Sequence, residues 1–318
     1  MKSQSVTAPS LTKKRYTFFT DIRRNRFSYL LILPALLYVL VFSYLSYPYM
    51  IIAFKHFNYK LGVFGSEWCG FKNFEFFLKS TNAPTVIRNT LVLNLLFIVT
   101  GTLTSLVLAI LLNELRSRVF VRTAQTMMLF PHYISWVVVS YILLAIFSNK
   151  NGLANQLLNA LGMKSVSWYT KADVWPTILV WMKIWKSAGM NAVIYLAAIT
   201  GIDESIYESA TIDGANRFQR IVSITVPLIM PTVCIMTLLA VGKIMNGDFG
   251  MIYALVGDQG ILYETTDVID TYVYRVLRQT GDPSQSMAIG LFQSLIGLVM
   301  VVGSNWIVKH TFHEGALF

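Results

Sequence analysis

Residues 201–227 read Gly-Ile-Asp-Glu-Ser-Ile-Tyr-Glu-Ser-Ala-Thr-Ile-Asp-Gly-Ala-Asn-Arg-Phe-Gln-Arg-Ile-Val-Ser-Ile-Thr-Val-Pro. Asp203 or Ser205 can cap a short helix running from about Ile206 to Asp213, and Gly214 stands where such a helix ends. Ile206, Ala210 and Ile212 give it a small apolar side beside polar Glu208 and Asp213. A second amphipathic stretch, Phe218 to Ile224, leads to Pro227 and an apolar run. Two readings fit the spacing: a solvated hairpin with ordinary caps, or a short helix outside the membrane fitted to a groove on a partner.

What flanks the segment sets its context. The 318 residues are 55% hydrophobic and only 13% charged, against about 25% charged in an average soluble domain. A soluble protein so apolar would expose patches prone to aggregation, so the bilayer is its natural solvent. A spanning helix needs about 20 mostly apolar residues, and six segments qualify: 29–53, 86–112, 123–147, 174–200, 228–252 and 285–308. These make a transmembrane domain over 29–308, preceded by a basic segment 1–28 and followed by a tail 309–318. The first run is longer than a secretory signal core and no small-x-small site closes it, so it reads as a retained anchor.

Charge orients the spans. Seven of the 26 basic residues fall in the first 28 positions, directly before an apolar run, as the positive-inside rule expects of a cytoplasmic segment. A nucleic-acid-binding tail is the competing use of such a block, and the span that follows at once argues against it. An even number of spans puts both termini in the cytoplasm. Segments assigned inside (1–28, 113–122, 201–227, 309–318) hold 13 Lys and Arg in 75 residues, those assigned outside nine in 90. Residues 201–227 therefore form a cytoplasmic loop. Pro34, Pro48, Pro131 and Pro176 in or beside spans point to a packed bundle that satisfies freed carbonyls. Trp136, Trp168, Trp175 and Trp306 fall near expected interfaces, as an aromatic belt would place them.

The loop resembles the signature of permeases of ATP-binding-cassette importers: Glu-Ala-Ala, three residues, Gly, nine residues, Ile-x-Leu-Pro. The matching residues are Glu208, Ser209, Ala210, Gly214, Ile224, Val226 and Pro227, with Ser209 and Val226 as mild departures, and Asp213-Gly214-Ala215 is typical of the carbohydrate branch. Phe71-Lys-Asn-Phe-Glu-Phe-Phe77, Arg88-Asn-Thr90, Leu111-Leu-Asn-Glu114, Ser135-Trp-Val-Val-Val139, Ile194-Tyr-Leu-Ala-Ala198 and Asp270-Thr-Tyr-Val-Tyr-Arg275 extend the likeness to LplB-type permeases, importers of oligosaccharides and polysaccharide fragments. The resemblance implies an all-α, six-helix transmembrane domain of a type I importer in a bacterial inner (plasma) membrane. It implies a heterodimer with a second related permease and an extracellular solute-binding protein that delivers carbohydrate. Two cytoplasmic ATPase subunits, which use the ATP and Mg, would dock at the coupling helix around Glu208, Ser209, Ala210, Asp213 and Gly214, with Ile224 and Pro227 behind it. Consistent with that division of labour, Gly-x4-Gly-Lys-Ser/Thr, the phosphate-cradling motif, occurs nowhere in the chain. The chain is expected to be non-catalytic, with no cofactor, metal or nucleic acid of its own.

Polar residues inside the spans are the candidate substrate path, because ionisable groups at membrane depth are costly and usually face a cavity or a partner. They are Asn94, Trp185, Lys186, Asn191, Tyr195 and Gln293, with Lys183, Lys243, Asn246 and Asp248 near them. Hydroxyl-bonding amides and aromatic rings suit sugars. Lys186 fits a second role as well, pairing with a buried carbonyl or with a carboxylate of the partner subunit. A Lys243–Asp248 pair has poor helical spacing. Asp267, Asp270 and Asp282 read as an acidic outer face or as simple solvation rather than an ion site. The rival classes are a permease for a non-sugar solute, a stand-alone secondary transporter and a membrane enzyme. The first stays open. A secondary transporter has no use for the signature loop, and an enzyme needs acidic or histidine constellations that the sequence lacks.

Overall fold

The computed structural model describes residues 22–149 and 151–311. The chain divides into two units, Met1–Ile51 and Ile52–Phe318. The first contains α1 (Arg26–Phe42), apolar beyond Arg26 and Ser28 in its first turn, with Pro34 inside and no buried residue, which passes into a tighter 3-10 stretch, Tyr44–Phe54, that crosses the unit boundary. Its large side chains, Leu31 and Phe42 among them, are exposed, which suits a helix solvated by lipid.

Among its described residues the regular structure of the second unit is helical apart from an antiparallel ribbon of two short strands, β1 (Lys55–His56) with β2 (Glu67–Trp68), Lys55 opposite Trp68. At its centre are two long helices, α3 (Ala83–Glu114) and α7 (Trp175–Thr200). They are the most extensively packed pair, and at roughly 1.5 Å per residue both are long enough to cross a bilayer. Around them lie α2 (Lys72–Leu78), α4 (Arg118–Tyr133), α5 (Trp136–Phe147), α6 (Leu153–Ala160), α8 (Glu204–Ile212), α9 (Val226–Val241), α10 (Phe249–Val256), α11 (Ile269–Thr280) and α12 (Pro283–Thr311). The α4–α7 crossing depends on Gly189: a Cβ there would lie 2.1 Å from the Met128 carbonyl oxygen.

Three apolar clusters hold the unit together. One joins α3, α5, α7 and α10 through Leu93, Leu143, Leu179 and Met251. Another joins α2, α3, α11 and α12 through Phe77, Val86, Tyr272 and Ile289. The third joins α3, α7 and α9 through Leu112, Tyr195 and Ile229.

Among the described residues, four segments are long and apolar enough to span on their own: Arg26–Phe54, Ala83–Glu114, Arg217–Val241 and Pro283–His310. The expected span 123–147 is not one helix but the pair α4–α5, bent by 96°. Pro131 sits in the last turn of α4, Ile134 is extended, and the Ser135 hydroxyl caps α5 by accepting from Val138 N at 3.3 Å. The expected span 228–252 also breaks: α9 stops at Val241, irregular turns follow, and α10 starts at Phe249. The expected span 174–200 is a single 26-residue helix, α7, whose Lys183, Lys186 and Asn191 keep it from qualifying by apolarity alone. Trp175, read as part of an interfacial belt, is instead fully buried and donates to the Trp168 carbonyl at 3.0 Å.

Candidate functional site

The segment after α7 is built by its caps. Asp203 accepts from Ser205 N at 3.0 Å, which starts α8 and holds the Asp203 carboxyl below the usual carboxylate range. At the other end Ala215 N donates to Ala210 O at 2.9 Å and Gly214 takes φ +80°, a left-handed stop that only glycine adopts without strain. Asn216 and Gln219 then form a reciprocal capping box, each backbone N donating to the other's side-chain oxygen at 2.8 and 2.9 Å. The turn Arg217–Arg220 continues through a wide π-type turn, Ile221–Thr225, into α9, with Pro227 in its first turn.

Two ties fix α8 to this return path: Tyr207 Oη to Thr225 Oγ1 at 2.9 Å and Arg220 to Thr211 Oγ1 at 3.0 Å. None of the nine residues of α8 is buried. Glu208, Ser209, Asp213, Gly214 and Pro227 are exposed, Ala210 and Ile224 half-buried. Ile212 is 87% exposed and Phe218 73%. A helix this short is marginal in water by itself; here caps and ties hold it while its outer side stays bare. The expected helix 206–213 therefore exists, two residues earlier at its start.

A second feature lies along α3, α7 and the break after α9, a cavity of about 470 Å³ lined by Asn94, Phe97, Lys183, Asn191, Tyr195, Lys243, Asn246 and Asp248 among others. The break is supported from three directions. Asn94 Nδ2 donates to the carbonyls of Ile244 (2.9 Å) and Asn246 (3.1 Å). Gln293 Nε2 donates to the carbonyl of Met245 at 2.9 Å and to Asp270 Oδ2 at 3.1 Å. Asp270 Oδ2 in turn accepts from Gly247 N at 2.5 Å. Burial raises the Asp270 carboxyl, against the lowering effect of those donors. Non-helical backbone at membrane depth persists only where its polar groups find such partners.

Asp248 accepts from Met251 N at 3.0 Å, capping α10, and pairs with Lys183 Nζ at 2.7 Å. This replaces the weighed Lys243–Asp248 pair: Lys183 reaches across from α7, where Lys243 is a poorly placed helical neighbour.

The other bend has an analogous support. Lys186 Nζ donates to the carbonyls of Pro131 (3.1 Å), His132 (2.9 Å) and Ile134, and stands 5.1 Å above the Trp136 ring. Of the six sequence-derived path candidates, Asn94, Asn191 and Tyr195 meet at one cavity, Asn94 with its amide already used on backbone. Lys186 is committed to the α4–α5 bend, Gln293 is buried behind the other break, and Trp185, 42% exposed, does not line the cavity. Of the three acidic residues read as an acidic outer face or as simple solvation, Asp267 and Asp270 turn inward. Asp267 is buried against Arg275 and accepts from Thr271 Oγ1 at 2.8 Å, Asp270 holds the break, and Asp282 caps α12 by accepting from Ser284 N at 2.8 Å. Lys183–Asp248 and Asp270–Gly247 were missed; glycines at 242 and 247 inside an apolar run were the available signal.

Residues 101–312 match the family described as binding-protein-dependent transport system inner membrane component. The chain belongs to that family. This transport permease is 36% identical to protein LplB of Bacillus subtilis (strain 168) over 309 residues, 97% of this chain and 96% of that protein. It is 32% identical to the polygalacturonan/rhamnogalacturonan transport system permease protein YteP of the same organism, covering 99% of each. The crystal structure of a bacterial ABC transporter involved in the import of the acidic polysaccharide alginate superposes with a TM-score of 0.84 at 33% identity, covering 92% of this chain and 99% of that one. The permease is thus an all-α inner-membrane transport component of the importer fold.

Proposed function

We propose that this permease imports an oligosaccharide, handed over by an extracellular solute-binding protein and driven by ATPase subunits that dock on α8. The observation that carries the reading is the α8 segment: nine residues fixed by caps and ties, none buried, stopped by a left-handed Gly214, with Ile212 at its end and Phe218 beyond the turn both exposed. A partner groove would bury those two side chains, while Glu208 and Asp213 on the exposed helix offer charges for register. In this reading α8 and the basic segment 1–28 face the cytoplasm of a bacterial cell, and the ends of α3 and α7 at Ala83 and Trp175 face outward. The cavity beside the α9–α10 break is one wall of the path, and a second, related permease supplies the other. ATP and Mg are bound by the ATPases, whose closure would push α8 and switch the bundle between two packed arrangements. The carbohydrate reading draws support from the polysaccharide-related names of the relatives and from the amide and aromatic lining of the cavity.

Reconstitution tests it. The chain, a second permease, the ATPases and the binding protein in vesicles are expected to accumulate oligosaccharide only when ATP and the binding protein are both present. Uptake by this chain alone without ATP would overturn the proposal in favour of a secondary transporter.

A further inference from the structure

Two lysines three residues apart on α7 reach the two helix breaks. Lys186 serves the α4–α5 bend through three carbonyls. Lys183 serves the break after α9 through the Asp248 carboxylate at 2.7 Å. The short helices beyond those breaks, α5 and α10, pack on one another through Val139, Leu143, Met251 and Leu255. At its other end α7 runs unbroken to Thr200. Gly201 and Ile202 continue its turn, donating to the carbonyls of Ala198 (3.3 Å) and Ile199 (3.1 Å), and Asp203 then caps α8. Lys183 therefore stands about 26 Å from Thr200 along one helix that leads directly into α8.

The ties at the break after α9 change hands between Gly247 and Asp248. Up to Gly247 the backbone is held from α3, α11 and α12, by Asn94 at Ile244 and Asn246, by Gln293 at Met245 and by Asp270 at Gly247. Gly247 is also seated against the residue before α11, where a Cβ would lie 2.5 Å from Val268 Cγ2. Asp248 is tied instead to α7. One of its oxygens accepts from Met251 N, capping α10, and the other from Lys183. Lys183 also stands 5.9 Å from the Phe97 ring of α3, at the outer limit of a cation–π contact, so Asp248 is its firmer partner. α10 meets α11 through the rings of Phe249, Tyr253 and Tyr274. Ring faces slide on one another; a charge-assisted hydrogen bond fixes position.

We propose that Lys183 and Asp248 act as a positioning pair, which carries a movement of α8, passed along α7, into α10 at the wall of the cavity. The inference rests on the reading that ATPases dock on α8. With Gly247 held from the other side, movement of α7 turns α10 about the 247–248 link, and α5 follows through the shared apolar cluster. The paired side chains are 30% and 25% exposed, so their charges are screened less than those of a surface pair and the tie persists while both helices shift.

The test uses the complete importer in proteoliposomes. Spin labels are placed at Ala254→Cys on α10 and Gln279→Cys on α11, with Cys69 and Cys234 replaced by alanine. Pulsed electron paramagnetic resonance reads the distance between the labels before and after ATP with vanadate arrests the ATPases. In the otherwise unsubstituted chain it is expected to change by more than about 2 Å, the scale of helix shifts in switching proteins. Lys183→Met and Asp248→Asn, the latter keeping an acceptor for Met251 N, should each lose at least about half of that change. The double variant should lose no more than the larger single loss, because the same tie is removed in all three. Lys183→Arg, which preserves the pair, should retain the change, and ATPase recovered with each permease should stay parental. A full change in both single variants overturns the inference, as does a double variant whose loss is the sum of the singles. No change in the unsubstituted chain, with ATPase bound, overturns it and leaves docking on α8 standing. Loss of bound ATPase in the variants alone marks a structural role for the pair and overturns it too. Failure to recover ATPase with the unsubstituted chain refutes the docking itself, and the inference with it.

Discussion

Replacing Gln293 with leucine isolates the polar support of the α9–α10 break. Gln293 is 6% exposed and gives its amide to the Met245 carbonyl and to Asp270. Leucine is of similar volume, so packing changes little; what disappears is the donor. The Met245 carbonyl, on a residue itself buried, is left unmatched at about 1–3 kcal/mol, and Asp270 loses one charge-assisted bond of about 1.5–3 kcal/mol. Leucine's extra apolar burial returns about 1 kcal/mol. The net expectation is a loss of about 3 kcal/mol. Reversible unfolding of the purified permease in mixed detergent micelles, followed by circular dichroism, measures it. Ser294→Ala, at the exposed neighbouring position, is the control and should stay within about 0.5 kcal/mol. Asn94→Leu should couple non-additively with Gln293→Leu, since both side chains hold the same short segment. A Gln293→Leu protein within about 0.5 kcal/mol of the parent would refute the claim that these side chains hold the break.

Lys186→Met should cost about 2 kcal/mol in the same assay, by stripping donors from the carbonyls at the α4–α5 bend. Asn191→Ala, at a residue lining the cavity, should leave unfolding near the parent and change uptake instead. A destabilisation by Asn191→Ala with none by Lys186→Met would reverse the two assignments. For Asp270 the folded carboxyl lies above its reference value of 3.8 through burial, so it favours the fold below that value and loses this contribution as pH rises through the raised one. A stability–pH profile should show that decline, and Asp270→Asn should flatten it.

The parts legible in the sequence were those fixed by neighbours a few residues away. The caps at Asp203 and Gly214 and the capping box at Asn216 are local chemistry, so the α8 segment can be read from spacing. Helices α3 and α12 follow from length and apolarity, and α7 from length with an apolar run that its two lysines interrupt. Both helix breaks were lost because an apolar run reads as continuous. What makes the break after Val241 affordable lies far away in the chain, at Asn94, Asp270 and Gln293. Lys183 and Asp248 stand 65 residues apart, and no periodicity joins them. Lys186 showed the same limit: a lysine inside a span fits a path or a structural bond equally until the carbonyls at the bend are seen around it. The inward turn of Asp267 and Asp270 was hidden likewise, since part of the segment 253–284 forms α11, which packs against α3 and α12.

The central claim is that α8 is where the ATPase attaches, and its most direct measurement is co-purification of the ATPase with substituted permease. Glu208→Lys changes an exposed charge on the helix, and Gly214→Val forces a branched side chain into φ +80°, a conformation costly for such a residue. Both variants should insert into the membrane at parental levels, retain less than about a tenth of the bound ATPase, as a loss of about 1.4 kcal/mol or more implies, and import correspondingly less. Parental ATPase recovery and parental uptake in both variants would contradict the account.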